Sequence, residues 1–260
     1  MRYCILASGS KGNMTYIETD ELRLLLDAGL SYKEMMRRSP IEINKIDAIL
    51  LTHEHIDHVS GLITIAKRTG ATIYATQETY ESLLYRFKEK MEGLPVQIIQ
   101  ANRKYVLNDL QLFTLRLSHD SASCLGFIFS HHKKSLAYVT DTGFLPLPYL
   151  ELLKKTQHLI IEANHDVEML QQSARPWELK QRILSVRGHM SNIICGQIVN
   201  TLAQERILQQ VILAHLSEEC NTEVCAVDTV IGALTTDYLP HIKVARQHEA
   251  LEMIEVSNEC

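Results

Sequence analysis

Thr52-His53-Glu54-His55-Ile56-Asp57-His58, following directly on the run Ile46 to Leu51, decides how this chain is read. Three imidazoles and Asp57 crowd between positions 53 and 58, where a buried strand should end and a loop begin. Burying polar side chains is unfavourable unless they are paired, so a core has no use for such a cluster, whereas a metal site does. Alternate residues of an extended segment project to one side, which lets His53 and His55 converge on one ion. Asp57 and His58, past the bend, can turn toward a second. The competing reading, a polar surface loop, leaves the density of histidine unexplained.

Later strand ends supply candidates for the rest of such a site. Leu110-Gln-Leu-Phe-Thr-Leu-Arg-Leu117 alternates as a half-buried strand does and leads to His119-Asp120. Ser135-Leu-Ala-Tyr-Val-Thr140 leads to Asp141, and Val211-Ile-Leu-Ala214 to His215. Open α/β sheets bind ligands beyond the C-terminal ends of their strands, where all these residues fall. Any one of them alone is unremarkable; the ordered set His53, His55, Asp57, His58, His119, Asp141, His215 is much more specific.

That set resembles the metallo-β-lactamase-fold hydrolase superfamily over nearly the whole chain. The resemblance implies an α/β fold, a four-layer αβ/βα sandwich of two mixed sheets with helices on the outer faces. It further implies two divalent ions, zinc or manganese first and iron as a third choice. His53, His55 and His119 would bind one, Asp57, His58 and His215 the other, and Asp141 would bridge them. Asp27, after Leu22-Arg-Leu-Leu-Leu26 and before Ala28-Gly29, matches an early aspartate that supports the histidine loop from behind. A turn-capping aspartate explains it about equally well. His at 55 rather than a carboxylate favours hydrolysis over redox chemistry. Asp at 141 suits a two-metal clamp on a phosphate diester, and thioester hydrolysis as well.

Five further stretches resemble the bacterial WalJ/YycJ-like subfamily: Leu6-Ala-Ser-Gly-Ser-Lys-Gly-Asn13, Glu162-Ala-Asn-His-Asp-Val-Glu-Met-Leu170, Leu179-Lys-Gln-Arg-Ile-Leu184, Gly188-His-Met-Ser-Asn192 and His215-Leu-Ser217. Ala163 and Met190 depart from the Ser and Leu expected there. The subfamily is associated with exonucleolytic hydrolysis of DNA. The implied enzyme is a cytoplasmic phosphodiesterase or DNA exonuclease that attacks with a metal-bridging hydroxide. A thioester or small-ester hydrolase of the glyoxalase II type is the alternative, and a non-catalytic metal-binding regulatory module ranks third.

Candidate catalytic residues are Asp57 and two histidines, one after a strand and one ahead of a helix. His165 follows the run His158 to Ile161; His189 lies in Gly188-His189-Met-Ser191, ahead of a helix in which Ile194, Ile198 and Leu202 recur at four-residue spacing and Ser191 is placed to be the N-cap. A side-chain pKa near 6.5 suits either imidazole to protonate a leaving oxygen, although each could equally brace its own loop. His189 is preferred. The loop Ser8 to Asn13 joins the first two strands; Ser10 and Asn13 are candidates for a phosphate oxygen, while the spacing excludes a nucleotide-triphosphate loop. Between Arg175 and Arg187 the chain carries four basic residues and one acid, Glu178. A helix begun near Pro176 would present Lys180, Arg182 and Arg187 either to a nucleic acid groove or simply to solvent.

Composition is permissive. The 260 residues are 46% hydrophobic and suit one domain over 1–260, with ample core. An apolar stretch long enough to span a bilayer is missing, and the N-terminus reads as a first strand rather than a secretory leader. A net charge of −5 gives no general attraction for DNA. The six cysteines show no zinc-knuckle spacing and read as reduced thiols. His131, His132, His241 and His248 lie outside every motif and read as surface residues. Oligomeric state is left open.

Overall fold

The computed structural model describes residues 1–39, 43 and 45–257. Among these residues fourteen strands are laid down in chain order: β1 Arg2–Ala7, β2 Met14–Glu18, β3 Arg23–Leu26, β4 Ala48–Leu50, β5 Thr72–Ala75, β6 Val96–Ile98, β7 Lys104–Leu107, β8 Leu110–Leu117, β9 Cys124–His131, β10 Lys134–Val139, β11 His158–Glu162, β12 Gln210–Ala214, β13 His241–Val244 and β14 Ile254–Glu255. They form two seven-stranded sheets, ordered β14-β1-β2-β3-β4-β5-β6 and β13-β12-β11-β10-β9-β8-β7.

Alternation of side chains along each strand builds the layers. Leu24, Leu26 and Leu50 face the second sheet and meet Phe127, Phe129, Leu136, Ile160 and Ile212 in the core between the sheets. Leu25 and Ile49, on the other face, pack under helix residues Met35, Leu62, Ile65 and Leu83. In the second sheet Leu159, Ile161 and Leu213 pack against helix residues Cys195, Val199, Leu202, Ala226 and Val230. Strands covered on both faces therefore read as continuous apolar runs, as Leu24 to Leu26 and Leu159 to Ile161 do. Burial of each large side chain contributes about 1.5–3 kcal/mol. The result is the αβ/βα sandwich that the family resemblance implied.

Register sets where the site falls. Strands β3, β4, β5 and β6 are parallel, as are β10, β11, β12 and β13. Two antiparallel steps relate β1 to β3, and two more relate β8 to β10, so the C-terminal ends of β1, β3, β4, β8, β10, β11 and β12 point to the same edge of the molecule. The expected strands at Leu110–Leu117 and Val211–Ala214 are found, the latter one residue longer. Helix Trp177–Leu184 has Pro176 as its N-cap rather than in its first turn. Ser191 caps helix Asn192–Ala203 by accepting from the Ile194 amide, as anticipated. Cys4, Cys124, Cys195, Cys220 and Cys225 are free thiols, and Cys260 lies outside the described residues. Among the described residues no helix is long and apolar enough to cross a membrane.

Candidate metal centre

The chain turns sharply as it leaves three of these strands. Asp27, Asp141 and His215, each just past a strand end, have φ of 61°, 57° and 57°. Non-glycine residues adopt this left-handed conformation rarely, and functional sites concentrate such strain. Here the turn swings each side chain over the sheet edge toward the histidine loop. Gly29 lets the loops meet: a Cβ there would lie 1.8 Å from the Asp57 carbonyl oxygen and 2.5 Å from the Asn13 amide nitrogen.

The rings of His53, His55 and His119 form a mutual cluster with centroids 4.6, 5.0 and 5.1 Å apart. Beside it, His58 Nε2 lies 3.4 Å from Asp57 Oδ2 and 3.6 Å from Asp141 Oδ2. His215 Nε2 lies 3.7 Å from Asp57 Oδ2 and 3.4 Å from Asp141 Oδ1. His53 Nε2, Asp141 Oδ2 and His215 Nε2 are buried with no hydrogen-bond partner. A cation bonded at about 2.1 Å to tetrahedral ligands needs them about 3.4 Å apart, so these spacings and orphaned donor atoms fit a metal. The sequence-predicted ligands thus fall into groups able to hold ions: His53, His55 and His119; Asp57, His58 and His215; and His53, His58 and Asp141.

Four of the five rings are anchored through the other nitrogen. His58 Nδ1 meets Asp27 Oδ2 at 2.7 Å, His119 Nδ1 meets the Gly188 carbonyl at 3.3 Å, and His215 Nδ1 meets Glu162 Oε1 at 3.0 Å. Thr52 gives its hydroxyl proton to the Asp27 carboxylate and so accepts from His53 Nδ1 at 2.9 Å. Donation at Nδ1 leaves Nε2 with its lone pair, the tautomer a metal requires. Asp27, fully buried, therefore supports the loop from behind: it accepts from Thr52 and His58 together. Burial pushes its carboxyl up, opposed by those donors.

Glu162 was not singled out from the sequence as a site residue. Fully buried at the end of β11, it accepts from His189 Nδ1 at 2.7 Å and His215 Nδ1 at 3.0 Å through Oε1, and from the Thr142 and Met190 amides through Oε2. Burial pushes this carboxyl up, but His189 and His215 outweigh it and hold it well below the ordinary range. For His215, burial works against the charged ring, yet Asp141, Asp57 and Glu162 raise it to about 10. That field stabilises positive charge in the place a divalent cation would occupy.

The two catalytic candidates part here. His189 stacks on His215, centroids 5.2 Å apart at 28°, and lines a cleft of about 190 Å³ with Ser10, Asp120, Arg175 and Arg182. His165 is 1% exposed, meets Asn164 Oδ1 through Nδ1 at 3.4 Å, has its backbone bridged to Ser191, and does not line the cleft. Asn13 is buried as well; its amide donates to Gly9 O and Asp57 Oδ2, so it braces a candidate ligand instead of facing the cleft. Arg182 pairs with Asp120, and Arg187 donates to the His119 carbonyl at 3.4 Å. Lys180 corrects the reading of a basic helix face: it is 9% exposed and its ammonium is spent on the Gln171 and Ser173 carbonyls at 2.7 Å. His131 is another correction, for it is 3% exposed and bonded to Asp109 Oδ2 at 3.0 Å.

Two mixed sheets, outer helices and an imidazole–carboxylate centre on the common edge define a metal-dependent hydrolase of the metallo-β-lactamase fold. The chain belongs to the β-lactamase superfamily domain family, which matches residues 22–216, and within it to the WalJ/YycJ group. It is 35% identical to the exodeoxyribonuclease WalJ of Streptococcus pneumoniae serotype 2 over 239 residues, 90% of this chain and 88% of that one. Against the exodeoxyribonuclease YycJ of Bacillus anthracis it is 33% identical over 232 residues, 87% of this chain and 86% of the other. Among solved structures, the metallo-β-lactamase fold protein YhfI from Bacillus subtilis superposes with a TM-score of 0.72 at 15% identity, covering 96% of this chain and 99% of that one.

Proposed function

We propose that the chain is a dinuclear metal-dependent phosphodiesterase that removes nucleotides from DNA ends in the cytoplasm, with both sheets acting as one catalytic domain. The observation that carries this reading is the anchored cluster of Nε2 atoms and carboxylates at the sheet edge, in a chain similar along nine-tenths of its length to exodeoxyribonucleases. His53, His55 and His119 would hold one divalent ion; Asp57, His58 and His215 would hold the other, with Asp141 between them. Imidazole-rich ligation favours zinc, and the carboxylates also admit manganese or iron. Such a pair supplies Lewis acidity toward phosphate oxygens and makes water nucleophilic at neutral pH.

The protein's own groups do the remainder. Asn13 fixes the Asp57 carboxylate, Asp27 and Thr52 fix His53 and His58, and Glu162 fixes His215. His189, held at Nδ1 by Glu162, would act when protonated on both nitrogens, giving its Nε2 proton to the departing oxygen while Glu162 holds the Nδ1 proton in place. Ser10 and Arg182 line the cleft where a phosphate backbone would run, while Arg187 steadies His119 from behind. Arginine and hydroxyl groups suit phosphates better than the apolar acyl chain of a thioester. Hydrolysis of an end-labelled duplex by the Zn²⁺- or Mn²⁺-loaded protein, with Asp57→Ala as control, tests the reading. Stepwise release of mononucleotides, lost in the variant, is expected; turnover of thioesters with intact DNA would overturn it.

A further inference from the structure

A second group of metal-ligating side chains lies far from this centre. His131 ends β9, whose first residue, Cys124, donates its thiol to the Asp141 carbonyl. At about 3.4 Å per residue, His131 is therefore about 24 Å away, at the opposite edge of the sheets. Its Nε2 lies 3.0 Å from Asp109 Oδ2 and 3.8 Å from Asp20 Oδ2, and its Nδ1 is buried with no partner. The His132 ring sits 4.2 Å from that of His131, and Asp20, His131 and His132 each offer a ligand atom within 4.8 Å of the others.

We propose that Asp20, His131 and His132, with Asp109 alongside, form a peripheral site for a divalent cation of the zinc type. An ion pair between His131 and Asp109 explains one imidazole and one carboxylate; it leaves unexplained why a second imidazole and a second carboxylate converge on the same point. Two nitrogens and up to two oxygens at this spacing make a donor set for Zn²⁺, Ni²⁺ or Co²⁺, and a poor one for the oxygen-seeking Mg²⁺ or Ca²⁺. Placement gives the site a purpose. Asp20 belongs to the turn between β2 and β3 of the first sheet, while Asp109 and His132 belong to the turns β7–β8 and β9–β10 of the second. Thr19 already bonds to Asp109 across this seam, and Asn108 donates to the Glu21 carbonyl at 3.0 Å. A bound cation fastens the two sheets at the edge remote from the candidate centre.

The site is independent of the proposed function and is tested separately. Asp20 and His132 are exposed on turns, so the double variant Asp20→Ala/His132→Ala keeps the fold. Metal-stripped full-length protein is titrated with Zn²⁺ by calorimetry, and its melting temperature is followed as Zn²⁺ rises. The unaltered chain is expected to take up one equivalent more than the double variant. Its melting temperature should climb by at least about 5 °C more at a hundredfold excess over the dissociation constant. Hydrolytic activity should be unchanged by the double substitution. Equal stoichiometry in the two proteins, or an equal melting response, overturns the proposal.

Discussion

Replacing Glu162 by Gln changes one atom and probes the centre from behind. Oε2 of Glu162 accepts two backbone amides, from Thr142 at 3.0 Å and Met190 at 3.1 Å, so that position must remain an oxygen. The new NH₂ therefore replaces Oε1 and faces His189 Nδ1 and His215 Nδ1, at 2.7 and 3.0 Å. Turning the amide over only moves the conflict onto the two backbone donors. With NH₂ donating, both rings must accept at Nδ1 and carry their proton on Nε2. His215 then presents an N–H where it should present a lone pair between Asp57 and Asp141. Each charge-assisted bond lost is worth about 1.5–3 kcal/mol. Losing such a support typically weakens metal affinity about 10–100-fold. Calorimetric Zn²⁺ titration of Glu162→Gln should show this weakening for one of the two ions proposed at the centre, with the fold intact by circular dichroism and kcat down by at least about 100-fold. Unchanged metal affinity and kcat in a folded variant would refute the coupling of Glu162 to His215 and His189.

Other perturbations separate positioning, packing and titration. Gly29→Ala forces a methyl against the Asp57 carbonyl where the loops cross, and should cost at least about 3 kcal/mol in denaturant unfolding. Lys180→Met removes the ammonium that satisfies the Gln171 and Ser173 carbonyls; it should lower stability by about 1–3 kcal/mol and leave kcat and KM for DNA unaltered, since the side chain does not face the cleft. Burial pushes the His158 ring, beside Tyr3, down to about 4. Because the unfolded chain binds the proton more readily, stability should be full above about pH 6.5 and fall by up to about 3 kcal/mol as pH drops toward 4; His158→Gln should flatten that window in pH-dependent melting.

The histidine loop and the strand-end candidate ligands were legible because their signals are local. Three histidines and Asp57 within one short segment, and apolar runs ending at His119, Asp141 and His215, need no knowledge of the rest of the chain. The layer order came from the family resemblance, and the runs Leu24-Leu25-Leu26 and Leu159-Ile160-Ile161 agree with it, since strands covered on both faces read as continuous apolar stretches. Glu162 escaped because its role depends on His189, His215, Thr142 and Met190, which three separate loops bring together. Its one sequence signal was a carboxylate closing an otherwise apolar strand, a costly residue to bury without partners. Lys180 was misread because helical spacing assigns a face without showing that helix Val167–Gln172 ends within its reach. His131 looked peripheral for a similar reason: its partners lie in two other hairpins. His165 follows a strand and His189 precedes a helix, and nothing local to either shows that His189, not His165, lines the cleft.

The central claim is that seven side chains at one sheet edge hold two ions with Asp141 between them. Anomalous diffraction from crystals grown with Zn²⁺ or Mn²⁺ tests it most directly. Two peaks about 3.5–4 Å apart are expected, one ringed by His53, His55 and His119 and the other by Asp57, His58 and His215. A single peak at this edge, or density bonded to other side chains while these seven stay unligated, would contradict it.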